Sequence, residues 1–247
     1  MTPLGVQLYS VRDQLTQDRS GTLRRIAELG YDAVEPYDPL NDPAGFRALV
    51  DEYGLSVCST HAGVLGDARG EILDAAGVIG VDTVIVPAVP AEEFADRDGL
   101  ERTAGRLNEA AAEAAGRGIR IGYHNHYWEF DQHVDGRPSL EVLADLLNPE
   151  VILEIDVYWA AVGGADQGAG VPDLLRRLGG RVRYLHVKDG PATRKDPMTA
   201  VGSGVLPIPD ILAAAPDAWR VVELDECATD MFDALADSRS YLTGLAS

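Results

Sequence analysis

The chain has 247 residues, 46% of them hydrophobic, enough for a substantial core and not the composition of a disordered chain. Its 40 acidic residues against 21 basic ones give a formal charge of −19, which argues against general nucleic-acid binding and attachment to anionic lipid. No apolar run approaches the ~18 residues of a membrane span, the opening Met1-Thr2-Pro3-Leu4-Gly5 lacks the features of a secretory signal, and two cysteines, Cys58 and Cys227, are too few for a disulfide framework. The expectation is a reduced, cytoplasmic, enzyme-sized domain.

Short β-rich runs recur at 5–10, 31–37, 56–62, 81–87, 119–126, 151–158, 182–189 and 220–225, each bounded by Gly, Pro, Asp or Asn. Their starts lie roughly 25–38 residues apart, room for one strand, one helix and two loops. Helices are predicted between them. The segment 21–29 stops at Gly30 and 43–53 at Gly54. The alanine-rich 100–115 precedes Gly116 and Gly118, 139–147 opens on Ser139 as N-cap, and 171–178 stops at Gly179. The pattern is eight strand–helix units with no dividing linker, hence a single-domain α/β (β/α)₈ TIM barrel over 1–247, with an open doubly wound sheet as the rival.

Polar residues at the ends of the strands discriminate between the two. Glu35, His61, His124, Asp156, His186 and Glu223 close six of the eight runs. In an open sheet they would spread over ~25–35 Å, since neighbouring strands are ~4.8 Å apart. If they cooperate, the sheet is closed.

Side chains alternate across a strand. In the fifth run Ile119 and Ile121 share one face, and Arg120, Gly122, His124 and His126 the other. In the sixth, Val151, Leu153, Ile155 and Val157 face the helices, and Glu154 and Asp156 face inward. The seventh places His186 and Lys188 inward, the eighth Glu223 and Asp225. The same parity puts Cys58 on the outer side of the third strand.

The inward set combines imidazoles with carboxylates. Several buried carboxylates require a compensating cation, and one divalent ion (Mn²⁺, Co²⁺, Zn²⁺ or Mg²⁺) suits these donors; the bland alternative is a set of ordinary hydrogen bonds at strand ends. His124-Asn125-His126 can aim two rings into one cavity, and Glu129 lies just beyond. Tyr127, Trp128 and Phe130 either pack on the rim or form an apolar wall for a sugar ring. His133 lies in a polar loop and reads as solvated. Gly202-Ser203-Gly204 lacks the context of a phosphate loop and reads as a flexible loop.

The segments Leu4-Gly-Val-Gln-Leu-Tyr-Ser-Val-Arg12, Tyr31-Asp-Ala-Val-Glu35, Thr60-His-Ala-Gly63, Tyr123-His-Asn-His126, Asp156-Val-Tyr-Trp159, Leu185-His-Val-Lys-Asp189 and Val222-Glu223 together resemble the sugar phosphate isomerase/epimerase group of the xylose isomerase-like barrels. The likeness covers the whole chain in order. It implies one divalent metal at the C-terminal mouth, held in the related ketose epimerases by Glu, Asp, His and Glu from strands five to eight. Asp156, His186 and Glu223 match that set, and His124 stands where the fifth-strand glutamate is expected. The implied chemistry is proton abstraction next to a carbonyl through an enediolate, with His126, Glu129 or Glu223 as base and Glu35, His61, Trp159 and Lys188 against the substrate. Few basic residues lie near the strand ends, which favours an unphosphorylated sugar, keto-sugar or inositol-type polyol. A lyase of the same fold (an inosose-dehydratase-like enzyme or a keto-glycoside eliminase) is the second reading and a non-catalytic sugar-binding subunit the third. The fold allows a homodimer.

Overall fold

The computed structural model describes residues 3–164 and 170–245; Met1 and Thr2 of the opening segment, and with them the full 1–247 span, lie outside the described residues. Eight strand positions carry the fold: β1 (Leu4–Gln7), β2 (Ala33–Glu35), β3 in two segments (Ser56–Val57 and Thr60–His61), β4 (Thr83–Val86), β5 (Arg120–His124), β6 (Ile152–Asp156), β7 (Val182–Val187) and β8 (Trp219–Val222). All neighbours pair in parallel, and the order runs from the first segment of β3 through β2, β1, β8, β7, β6, β5 and β4 to the second segment of β3. Both ends of that order are the same strand, so the sheet is a closed barrel and the TIM barrel expectation holds.

A helix follows every strand, from Arg19–Glu28 after β1 to Met231–Gly244 after β8. Two begin earlier than the periodicity predicts, at Arg19 and Arg97, because Asp18 and Asp96 accept the N–H of Gly21 and Gly99 as N-caps. Ser139 is not a cap. It is the first residue inside Ser139–Leu146, after an extended Pro138, and its hydroxyl donates to the Phe94 carbonyl at 2.8 Å. The first run is shorter than predicted: β1 stops at Gln7, whose side chain accepts the Tyr9 N–H at 3.1 Å and starts a 3₁₀ turn, Leu8–Val11. The sixth stops at Asp156, which caps Val157–Val162 through the Trp159 N–H at 2.9 Å. No helix among the described residues is long and apolar enough to cross a membrane.

Two apolar layers result. Val6, Val34, Val84, Ile121, Leu153, Leu185 and Val222 face the helices, and a smaller cluster of Ala33, Cys58, Ile85, Ile152, Tyr184 and Val221 fills the barrel. Cys58 therefore lies on the inner side, contrary to its parity. The interruption between Val57 and Thr60 breaks the alternation, so Cys58, Ser59 and His61 all serve the interior. The Cys58 carbonyl, left out of the ladder, accepts the Tyr184 hydroxyl from β7 at 2.8 Å.

Candidate metal centre and active site

Above that plug the inward polar side chains form two tiers. In the lower tier Gln7 Nε2 donates to Glu35 Oε2 at 2.8 Å, and the Ser59 hydroxyl donates to the other oxygen of Glu35. His186 Nε2 lies 2.6 Å from Glu35 Oε2. Glu154 Oε2 meets His61 Nε2 at 2.6 Å and His124 Nδ1 at 3.0 Å. In the upper tier Lys188 Nζ lies 2.9 Å from Asp156 Oδ2 and 2.7 Å from Glu223 Oε2. It donates to both oxygens of Asp225, at 3.0 and 2.9 Å. His186 and His124 span the tiers: His186 Nδ1 is 2.7 Å from Glu223 Oε2, and His124 Nε2 is 3.9 Å from Asp156 Oδ2.

The alternation of β5 to β8 thus brings His124, Asp156, His186, Lys188 and Glu223 together, all buried. Register makes the contacts: His124 is the Cα partner of Glu154, and His186 of Asp156. Burial governs the charges. It drives His124 well below the ordinary imidazole value and His126 down to about 4. Burial works against a charged His186 too, but Glu154, Glu223 and Glu35 outweigh it and raise that imidazole well above its usual value. Burial lifts Asp156 to about 6 against the pull of Lys188. It is overcome at Glu154 by His186 and His61, and at Glu223 by Lys188 and His186, so both carboxyls stay well below the usual range.

Ligand atoms of His124, Asp156, His186 and Glu223 all lie within 4.8 Å of one another, and so do those of His61, His124, Glu154 and His186. Asp156 Oδ2 and His186 Nδ1, both in the first group, are buried yet make no hydrogen bond of acceptable angle, despite the short approaches of Lys188 and Glu223. Donors that converge on one region, mixed from imidazole and carboxylate and with two buried atoms short of a well-aligned hydrogen bond, fit a divalent cation.

A cavity of about 430 Å³ opens over this group, lined by Tyr9, Tyr37, His61, Pro87, Ala88, His124, His126, Trp159, Lys188, Glu223 and Asp225. Trp159 donates its indole N–H to Asp225 Oδ2 at 3.2 Å. Two expected site residues stand elsewhere. Glu35 is fully buried among Gln7, Ser59 and His186 and does not line the cavity. Glu129 accepts the Tyr123 hydroxyl at 2.6 Å and the His126 backbone N–H at 2.9 Å, below the loop, and burial raises it to about 7. Tyr127, Trp128 and Phe130 form no cavity wall; Phe130 is core, and Trp128 stacks on the His126 ring, 4.3 Å between centroids. The aromatic walls are Trp159 with Tyr9 and Tyr37, whose rings meet edge-on at 5.4 Å. Strand alternation did not reveal the tyrosines, but each stands two residues beyond an inward polar side chain, in Gln7-Leu8-Tyr9 and Glu35-Pro36-Tyr37. His133 is exposed, as expected. The loop holding Gly202 and Gly204 is anchored, not free: their N–H groups and that of Leu206 donate to the buried Asp189 carboxylate at 3.0 to 3.2 Å.

The model of the xylose isomerase-like TIM barrel family matches residues 23–219. The chain belongs to that family. Among curated relatives of this barrel, the inosose dehydratase of Geobacillus kaustophilus is 27% identical over 203 residues, which cover 72% of this chain and 63% of that protein; the match thus spans under two thirds of the relative's length. Among solved barrels, a sugar phosphate isomerase/epimerase from Parabacteroides distasonis superposes with a TM-score of 0.82 at 24% identity, covering 98% of this chain and 93% of the other. A xylose isomerase-like TIM barrel protein from Mycobacterium smegmatis, in complex with magnesium, superposes with a TM-score of 0.71 at 15% identity, covering 99% and 96%. At such identities these structures establish the fold.

Proposed function

We propose that the protein is a divalent-metal-dependent sugar isomerase or epimerase that abstracts a proton next to a carbonyl and passes through an enediolate. The observation that carries this reading is the convergence of His124, Asp156, His186 and Glu223 beside the cavity, which His124 and Glu223 line and beneath which Asp156 and His186 are buried. Those four side chains would hold the ion. When bound, it supplies a Lewis acid for negative charge developing on the substrate oxygens. His126 is a candidate proton acceptor: its ring lines the cavity and is neutral near pH 7, although the burial that holds it at about 4 also makes it a weak base. Glu223 also lines the cavity but is engaged by Lys188 and His186. Lys188 is placed to donate to a substrate oxygen, and Trp159, Tyr9 and Tyr37 offer ring faces for a sugar.

The charge of the cavity favours an unphosphorylated substrate. Lys188 already faces Asp156, Glu223 and Asp225. Nearby, Arg12 donates to the Tyr9 and Asp225 carbonyls, and Arg194 pairs with Asp131. Of these groups Lys188 and Arg194 are paired with carboxylates, which leaves Arg12, held to two carbonyls, as the single charge to set against a phosphate.

The likeness to an inosose dehydratase favours a second reading, in which the same enediolate expels a β-hydroxyl group. Incubation with keto-sugars and inososes in deuterated water, with Mn²⁺ supplied, separates the two. Deuterium entering recovered substrate and its isomer without dehydration supports the isomerase. An absorbing unsaturated product marks the lyase. A chain that turns over none of these, and whose metal content is nil, contradicts both.

A further inference from the structure

We infer that Glu35 and Glu154 form an orienting shelf beneath the site, fixing which nitrogen of His186 and of His124 faces the metal position. The inference rests on the metal reading above and assigns two residues a role in it. Each imidazole has one nitrogen down and one up. The lower nitrogen of His124 is Nδ1, 3.0 Å from Glu154 Oε2; the lower nitrogen of His186 is Nε2, 2.6 Å from Glu35 Oε2. A neutral imidazole has one donor and one acceptor nitrogen. Giving the lower N–H to a carboxylate therefore leaves His124 Nε2 as a lone pair on the Asp156 side; in His186, which its carboxylate neighbours keep protonated, an ion would displace the Nδ1 proton on the Glu223 side and leave the lower N–H on Glu35, the arrangement in which a carboxylate fixes the tautomer and ring angle of a metal-binding histidine.

The shelf is itself held. Gln7 and Ser59 donate to Glu35, and His61 braces Glu154. Both carboxylates are fully buried and outside the cavity lining, so contact with substrate does not explain them. A second ion in the lower tier does not either. It would require His124 and His186 to give both nitrogens to metals, which a neutral imidazole cannot do. Glu35 and Glu154 are thus positioning residues.

The test compares wild type with Glu154→Asp and Glu35→Asp, which keep the charge but withdraw the carboxylate by one methylene. Co²⁺ affinity and stoichiometry are measured by calorimetry, and the proton position on His124 by nitrogen NMR of the metal-free protein. The expected result is one ion per chain, a loss of affinity of roughly 10–100-fold in each variant, and a His124 proton that leaves Nδ1 in Glu154→Asp only. Wild-type affinity together with an unchanged His124 proton in Glu154→Asp overturns the shelf, as does a stoichiometry of two ions. If the wild type takes up no Co²⁺, the metal reading falls, and the His124 proton alone decides: movement in Glu154→Asp upholds the orienting role and no movement removes it. Should either Asp variant fail to fold, Ser59→Ala, which removes one support of Glu35, replaces it and is expected to weaken Co²⁺ binding while leaving the His124 proton on Nδ1; unchanged affinity there counts against the shelf.

Discussion

The Lys188 ammonium lies 2.9 Å from Asp156 Oδ2, the carboxylate oxygen that has no well-aligned hydrogen bond and belongs to the candidate metal group. The buried lysine and a bound cation would therefore compensate the same charge.

Lys188→Met tests that relation. Removing one member of a buried charge cluster costs about 3–5 kcal/mol, and Lys188 is almost fully buried. Thermal unfolding with and without Mn²⁺ is the measurement. The variant should melt well below wild type without metal and gain more from Mn²⁺ than wild type does. Equal Mn²⁺ shifts in both proteins would show that ion and lysine do not share a charge site.

Asp156 carries two separable tasks: one oxygen caps Val157–Val162 and the other faces the metal position. Asp156→Asn preserves the cap and removes the charge, whereas Asp156→Ala loses both. Both variants should lose bound metal and activity, and only Asp156→Ala should lose about a further 1 kcal/mol of stability for the missing cap. Elemental analysis and urea unfolding check the pair. Full metal retention in both variants would refute the assigned site.

Glu129 makes stability depend on pH. Burial raises its carboxyl to about 7, so between roughly pH 4.5 and 7 the folded chain holds a proton that the unfolded chain has released. The stabilisation is complete below the unfolded value and disappears as pH rises through 7. Glu129→Gln has no such titration. The stability of wild type relative to this variant should fall by about 3 kcal/mol from pH 4.5 to 8, measured by urea unfolding across that range. A constant difference would mean that Glu129 titrates like an exposed carboxylate.

Tyr184→Phe removes the hydroxyl that serves the free carbonyl of Cys58 in the β3 break. An unsatisfied buried carbonyl costs about 1–3 kcal/mol. Urea unfolding should show a loss of that size, and an unchanged midpoint would mean that another donor reaches the carbonyl.

Period-two alternation is a local property of extended backbone. For that reason the eight units and the inward facing of His124, Glu154, Asp156, His186, Lys188 and Glu223 could be read from the order of residues alone. Alternation fails where the strand is interrupted, so parity alone puts Cys58 on the wrong side of β3. The strands end earlier than composition predicts at Gln7 and Asp156, because side chains that cap the next turn compete with the ladder there.

Which inward groups meet was decided by closure and register, which bring β2, β3 and β7 side chains together across the barrel at sequence separations of 24 and 151 residues, as in Ser59–Glu35 and His186–Glu35. The sequence by itself determined the barrel, the inward face and the donor types. Only the tertiary structure set Glu35 and Glu154 below the imidazoles, turned Glu129 towards Tyr123, and put Lys188 among three carboxylates. The reason is physical: the direction of a side chain follows from its own backbone, whereas its partner comes from a different strand and depends on the stagger of the whole sheet.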